Sequence, residues 1–232
     1  MSPPKPAPAE RAETDDGPRR TSLVQERSRR TRHALVSAAL KLWTDRGFDR
    51  GVEDTTVTEI ALAAGVTKST FYFHFAHKED ILLELGWGTA SAVDTDVRHA
   101  IARGLPPAQV LKLALATIAR RVERVPPAAV RRALREFYGP PRPGAESGEH
   151  FGMRRGFEQY VRYAQSHGEL AAGIDAQLLA TIMEGLTTDA LRAWVPGDAA
   201  LKPLLTYRVN VAVRGADALA KEGVTPGPIR RN

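Results

Sequence analysis

The run Thr67 to Lys78, TKSTFYFHFAHK, holds the side chains of this chain best suited to recognising another molecule. Lysine donates to guanine O6 and N7, a serine hydroxyl pairs with any base, and a flat aromatic such as Phe73 can lie against a thymine methyl. Tyr72 and His74 can donate to phosphate oxygens at the edge of a groove. This set suits duplex DNA better than catalysis. The chain has no cysteine, which excludes thiol nucleophiles, disulfides and cysteine-ligated zinc. It has no Gly-x-Ser-x-Gly, no His-Glu-x-x-His and no phosphate-binding glycine loop. His74 and His77 stand near Glu79 and Asp80, but no third ligand completes a zinc pattern, so neither metal nor cofactor is expected.

Such residues need a rigid platform, and the preceding sequence provides one. Thr56 followed three residues later by Glu59 is a capping box that starts a helix. Ile60, Ala61 and Ala64 give that helix one buried face. Gly65 permits the positive φ of a sharp turn, and Val66 plugs it. Thr67 caps a second short helix, in which Phe71 and Phe75, four apart, share the inward face. Lys68, Ser69, Tyr72 and Phe73 are left for the other faces. A short helix, a glycine turn and a second helix with a polar and aromatic outer surface describe a helix-turn-helix. Thr56 is both a cap and a candidate DNA contact; Ile60, Val66, Phe71 and Phe75 are core.

With these residues in place the run resembles the DNA-binding domain of TetR-type repressors. The shared positions are Thr55-Thr56-Val57, Ile60-Ala61, Ala64-Gly65-Val66, Tyr72, His74-Phe75, Lys78 and Leu82-Leu83. The likeness is close over about a fifth of the chain and extends more weakly back to Arg27. It implies that Thr56, Thr58, Thr67, Lys68, Ser69, Tyr72, Phe73, His74 and Lys78 lie at the DNA. It further implies an all-α fold of about nine helices, with an N-terminal three-helix DNA-binding domain and a C-terminal helical domain for ligand binding and dimerisation. The partners that follow are an operator in double-stranded DNA, a second copy of the chain joined through a four-helix interface, and a small-molecule effector enclosed by the helices of 78–195. One departure stands out: residues 49–54 make the connection after Gly47 about four residues longer than is usual for the family, and they are expected either to disturb the first helix or to bulge outward.

The whole chain has 232 residues, 43% of them hydrophobic, with a net charge of +6 and a pI near 9.8. This suits an acidic partner without requiring one. Four segments are expected: a basic tail over 1–22, the DNA-binding domain over 23–77, the helical effector and dimerisation domain over 78–222, and a tail over 223–232. Arg19, Arg20, Arg27, Arg29, Arg30 and Arg32 face a single acid, Glu26, and read either as a solvated tail and helix start or as an arm along the DNA. A first helix is expected from Glu26 to Asp45. Candidate pocket residues are Trp87, Phe137, Phe157, Tyr160 and Met183, with ordinary core as the alternative for each. Candidate dimer residues are Ile182, Leu186, Ala190, Leu204 and Val211, on two apolar segments over 175–195 and 203–222. No apolar run reaches the roughly 18 residues of a membrane span, and no signal-peptide core opens the chain, so a cytoplasmic protein is expected. The leading expectation is an effector-responsive repressor; the alternative is an effector-independent DNA-binding or architectural protein.

Overall fold

The structure, a computed structural model, describes residues 17–137, 152–194 and 200–224, with the side chains of 17–24 and of Phe137 excepted. The described residues form ten helices and no strand, so the fold is all-α.

Helix α1, Gly17–Asp45, buries Leu35, Ala39 and Trp43 on one stripe. It begins nine residues earlier than Glu26, inside the segment expected to be a tail. Pro18 sits at its start, where a missing N–H costs nothing, and the arginines, leucine and glutamate that follow are good helix formers. Residues 1–16 lie outside the described residues.

The extended connection after Gly47 neither disturbs α1 nor bulges. It is a further helix, α2, Phe48–Asp54, and accounts for the tenth. Gly47 turns the chain with φ of 76°. Phe48 then meets Trp43 edge-on with ring centroids 5.8 Å apart, and Phe48, Gly51 and Val52 are buried. At Gly51 the backbones of α1 and α2 touch: a Cβ there would stand 2.4 Å from the Trp43 carbonyl oxygen. The insertion is held because it carries an apolar face and the one residue small enough for the crossing.

Helices α3, Val57–Ala63, and α4, Lys68–His74, follow with the expected caps. The Thr56 hydroxyl accepts from the Glu59 N–H at 3.2 Å while the Thr56 N–H donates to the Glu59 carboxylate at 2.7 Å. Gly65 adopts φ of 70°, and the Val66 N–H closes the turn on the Ala61 carbonyl at 2.9 Å. Ile60, Ala61, Phe71 and Phe75 join Leu35, Trp43, Phe48 and Val52 in one core.

The larger domain consists of α5 (Asp80–Ala102), α6 (Pro107–Val122), α7 (Pro127–Phe137), α8 (Arg154–Ser166), α9 (Ala176–Ala193) and α10 (Leu201–Lys221). Gly86 and Gly88 sit inside α5 without breaking it. A second core gathers Val93, Leu115, Ile118, Phe157, Met183 and Leu205 from five of these helices. Helix α7 bridges the two cores: Ala129 and Ala133 enter the first, with Trp43 and Phe71, while Val130 belongs to the second. Arg132 and Arg135 of α7 reach Glu53 at 3.7 Å and Asp49 at 3.2 Å on α2.

Candidate nucleic-acid interface

The direction in which α4 faces follows from its two inward phenylalanines. Phe71 is fully buried and Phe75 nearly so, with ring centroids 5.7 Å apart. The opposite surface is therefore presented outward: Lys68 and Ser69 are exposed, Tyr72 is 51% exposed and Phe73 81%. Lys68 Nζ lies 5.9 Å above the Tyr72 ring, so the two share one patch. Thr67 Oγ1 is 2.8 Å from both Ser69 Oγ and Thr70 Oγ1 and accepts from the Thr70 N–H at 3.2 Å, which ties the first turn together. Thr56 and Thr58 are exposed at the start of α3. An exposed lysine, hydroxyls and an aromatic face on one short helix can offer donors to base edges and a flat surface to a thymine methyl. Leu62, 79% exposed at the end of α3, also stands out, and its place off the Ile60, Ala61, Ala64 stripe was its only sequence signal.

His74 is half-buried, and its imidazole is held below its usual value, first by burial and then by the charge of Arg32. It is thus neutral at pH 7 and offers a neutral N–H donor to a phosphate. Arg32 is not part of an outward arm. Its Nε donates to Glu84 at 2.7 Å, its Nη1 to the His74 carbonyl at 3.2 Å, and its guanidinium lies 4.6 Å over the Phe75 ring. It locks α1, the end of α4 and α5 together. Arg27, Arg29 and Arg30 remain exposed, with Arg30 paired to Glu26.

Lys78 differs from its expected role. Its ammonium donates to the carbonyl oxygens of Glu53 and Thr55, each at 2.9 Å, at the end of α2. These carbonyls occupy it structurally, because the extra helix places unsatisfied acceptors beside it. His77 Nδ1 stands 3.6 Å from Asp80, and no cluster of metal-ligating residues occurs among the described residues.

In the larger domain, a cavity of about 80 Å³ lies between α5, α6, α7, the start of α8 and α9. It is lined by Leu82, Leu85, Thr89, Val122, Val130, Leu134, Met153, Glu184 and Leu191 among others. Of the expected pocket residues whose side chains are described, none lines it; Tyr160 instead lines a separate hollow with Leu111, Lys202 and Arg214. Phe157 and Met183 are fully buried in the second core, with Tyr160 beside them, its hydroxyl pushed up to about 12 by burial and then by Glu169. Trp87 is half-exposed on α5, one residue past Gly86 on the wall, and the Phe137 side chain lies outside the described residues. Large aromatics fill space here, and the cavity forms where Gly86 and Ala133 leave it. Glu184, an acid between Met183 and Leu186 in the middle of α9, was the sequence signal for it.

Of the expected dimer residues, Ile182 and Val211 are exposed, Leu186 is half-exposed, and Leu204 packs partly on the core. Ala190 is fully buried within its own chain and offers no surface. Tyr207, 72% exposed, lies on the face between Leu204 and Val211 and was missed, although its spacing of three and four from them marked it.

Comparison with known proteins bears out the resemblance over this region. Residues 35–85 match the family described as bacterial regulatory proteins, tetR family. The HTH-type transcriptional regulator TcmR of Streptomyces glaucescens is 43% identical over 70 residues, 30% of this chain and 28% of that protein. The HTH-type transcriptional repressor BepR of Brucella suis is 47% identical over 51 residues, 22% of each chain. The chain thus matches under a third of the length of these curated relatives. The fold is shared more widely. FadR of Thermus thermophilus, a TetR-family repressor solved with lauroyl-CoA, has a TM-score of 0.58 at 22% identity, over 87% of this chain and 98% of that one. FadR of Bacillus subtilis, solved with stearoyl-CoA, has a TM-score of 0.60 at 18% identity, over 79% and 98%. The DNA-binding segment is therefore of the TetR type, on an all-helical fold, and the relatives it resembles are transcriptional regulators rather than enzymes. Among the described residues no helix is long and apolar enough to cross a membrane.

Proposed function

We propose that this chain is a transcriptional repressor that binds an inverted-repeat operator as a dimer and is released by a small molecule held in its larger domain. The observation that carries the DNA reading is the outward patch of Lys68, Ser69, Tyr72 and Phe73, fixed by the burial of Phe71 and Phe75. One such helix touches few bases, so useful specificity needs two copies at two half-sites. The exposed Ile182, Tyr207 and Val211 on α9 and α10 supply a face for the second copy.

The effector reading is supported by the cavity and by what its walls touch. Helix α5 lines the cavity with Leu82, Leu85 and Thr89. Lys78, just ahead of α5, holds the step between α2 and α3. Helix α7 lines it with Val130 and Leu134 and pairs with α2 through Arg132 and Arg135. A ligand that spreads α5 from α7 moves both handles on the DNA-binding domain and changes the spacing of two recognition helices. The FadR structures, solved with acyl-CoA molecules, show fold relatives that carry ligands.

The test is a binding titration on the DNA upstream of the protein's own gene, divided into fragments with and without an inverted repeat. Tight, salt-dependent binding confined to the repeat is expected. Equal affinity for every fragment would leave only non-specific DNA binding and remove the operator.

A further inference from the structure

The wall of the cavity between α5 and α9 is mostly apolar, with the hydroxyls of Thr89 and Thr188 and two charged residues, Glu184 and Arg121, set in it. Leu82, Leu85, Val122, Val130, Leu134 and Leu191 give it its character. Glu184 of α9 enters this wall, half-buried. Its Oε1 stands directly over Gly152, where a Cβ would come within 1.8 Å of it. The backbone N–H groups of Arg154 and Met153, at the start of α8, donate to the carboxylate. Burial outweighs both these bonds and the charge of the exposed Arg154: the carboxyl is held above its usual value, with desolvation as the largest cause. An ionised carboxylate has about four acceptor sites, so two backbone donors leave acceptor capacity on an under-solvated charge.

Arg121 is the other charged residue among the described lining. It is exposed, and its guanidinium lies 3.1 Å from where a Cβ of Gly88 would be, at the rim. A charge there is bathed in solvent and screened, whereas Glu184 is not. The Thr89 hydroxyl already donates to the Leu85 carbonyl, so the inner charged contact that a ligand meets is an anion with acceptors to spare. A second anion would face a charge already short of solvation. A neutral hydroxyl would supply one hydrogen bond. A protonated amine supplies a hydrogen bond and a counter-charge from within the cavity together, where the Arg154 guanidinium acts only from the exposed side, and that is the stronger pairing in a low-dielectric setting.

We propose that the cavity takes a lipophilic ammonium, its apolar body between Leu82, Leu134 and Leu191 and its N–H groups donating to the Glu184 carboxylate. The proposal rests on the effector reading above and gives that effector a chemical class. The cavity, at 80 Å³, is smaller than the ~150 Å³ space that admits a benzene ring. The flexible thioether of Met153, only half-buried on its wall, is the group that yields to a larger body.

The test uses three probes of similar shape and different charge: 2-phenylethylammonium, 2-phenylethanol and 3-phenylpropanoate. Each is titrated calorimetrically into the full chain without DNA. The ammonium is expected to bind at least tenfold more tightly than the alcohol, and the carboxylate most weakly. Glu184→Gln keeps a carbonyl oxygen for the α8 N–H groups and removes the charge; it should abolish the ammonium's advantage and leave the alcohol's affinity within about twofold. Gly152→Ala, which pushes the carboxylate aside without changing its charge, should weaken the ammonium alone. If Glu184→Gln does not fold, Gly152→Ala decides by the same criterion. Alcohol or carboxylate binding as tightly as the ammonium, a preference that survives in the folded variants, or no binding by any probe would overturn the proposal. Because these titrations contain no DNA, failure to find an operator leaves the cavity result standing. Release from an operator by another class of molecule would keep the effector reading and discard the ammonium.

Discussion

The ammonium of Lys78 donates to the carbonyl oxygen of Thr55 at 2.9 Å, tying the approach to α5 to the buried residue that joins α2 to α3. With the second bond, to Glu53, this makes Lys78 a clamp on the DNA-binding domain. Lys78→Ala should therefore lower stability by about 1.5–3 kcal/mol, the range for hydrogen bonds to a charged group. Thermal melts measure this directly. A residue spent on phosphate would behave otherwise: its removal would leave the melt unchanged and reduce the salt dependence of DNA binding by about one unit of slope.

The outward face of α4 separates stability from binding. Tyr72 and Phe73 are exposed, so Tyr72→Ala and Phe73→Ala should change stability by less than about 0.5 kcal/mol. Tyr72→Ala should weaken binding to every DNA sequence alike, as loss of a phosphate contact does. Lys68→Ala should relax discrimination at one base pair per half-site by ~1–3 kcal/mol. Titrations on matched and mismatched sites read both, and unchanged affinity in all three variants would remove α4 from the interface.

Much of this arrangement is legible in the sequence because it is local. Thr56 with Glu59, Gly65, and Phe71 with Phe75 each carry their meaning within one helical turn, and the structure realises them with the expected partners. What the sequence hides depends on distant residues. Nothing near Asp49 announces that Arg135 will pair with it, so residues 49–54 read as surplus loop rather than as α2. Nothing near Lys78 shows that α2 ends beside it. Large aromatics such as Phe157 look like pocket walls from their type alone, yet they are the groups that fill a core most completely, and the void opens beside small residues instead.

Gly51 is a sharp case of such a distant constraint. A methyl group there would stand 2.4 Å from the Trp43 carbonyl oxygen and 2.7 Å from its Cα, both backbone atoms that cannot rotate away. In an exposed helix, glycine to alanine would gain up to ~1 kcal/mol in propensity. Here the forced separation of α1 and α2 should cost about 1–3 kcal/mol and reverse the sign. A melting temperature raised by Gly51→Ala would show that the two helices do not cross as described.

The capping box of α3 carries a pH dependence. The Glu59 carboxyl is lowered to about 2, first by its hydrogen bond with Arg46 and then by the N–H and hydroxyl of Thr56. A carboxylate depressed in the folded state binds fewer protons there than in the unfolded chain, where it titrates near 4.5. Its contribution is fully present above that value and is lost as the pH falls towards about 2. Arg46 is raised and stays charged throughout, so no matching loss occurs at high pH. The melting temperature should fall between pH 5 and 2.5, and Glu59→Gln should flatten that part of the profile. A variant with the undiminished acid slope would place the titration elsewhere.

The second copy proposed above would meet this chain on α9 and α10, where apolar residues are left outward. Ile182 is 44% exposed, Val211 56% and Tyr207 72%, all on the two helices that bury Leu179, Met183, Leu205 and Val209 in their own chain. Apolar side chains left outward on adjacent helices are what a two-fold partner covers, each helix pair meeting its own copy. Arg208 and Asp189 pair across the two helices, which fixes them to one another before the partner arrives. The assembled interface should exceed roughly 1,200 Å² of total buried area. Because Ile182 and Tyr207 are exposed in the single chain, Ile182→Glu and Tyr207→Glu should leave helicity and folding intact while placing a charge where the copies meet. Each should sediment as a folded monomer and lose most of its affinity for a two-half-site operator. Ala190 gives the contrast: buried in its own chain, Ala190→Glu should lower helicity itself, since an unpaired charge would be forced into the core. Sedimentation of the unaltered chain comes first, and a monomer at micromolar concentration would remove the dimer and the two-half-site mechanism with it.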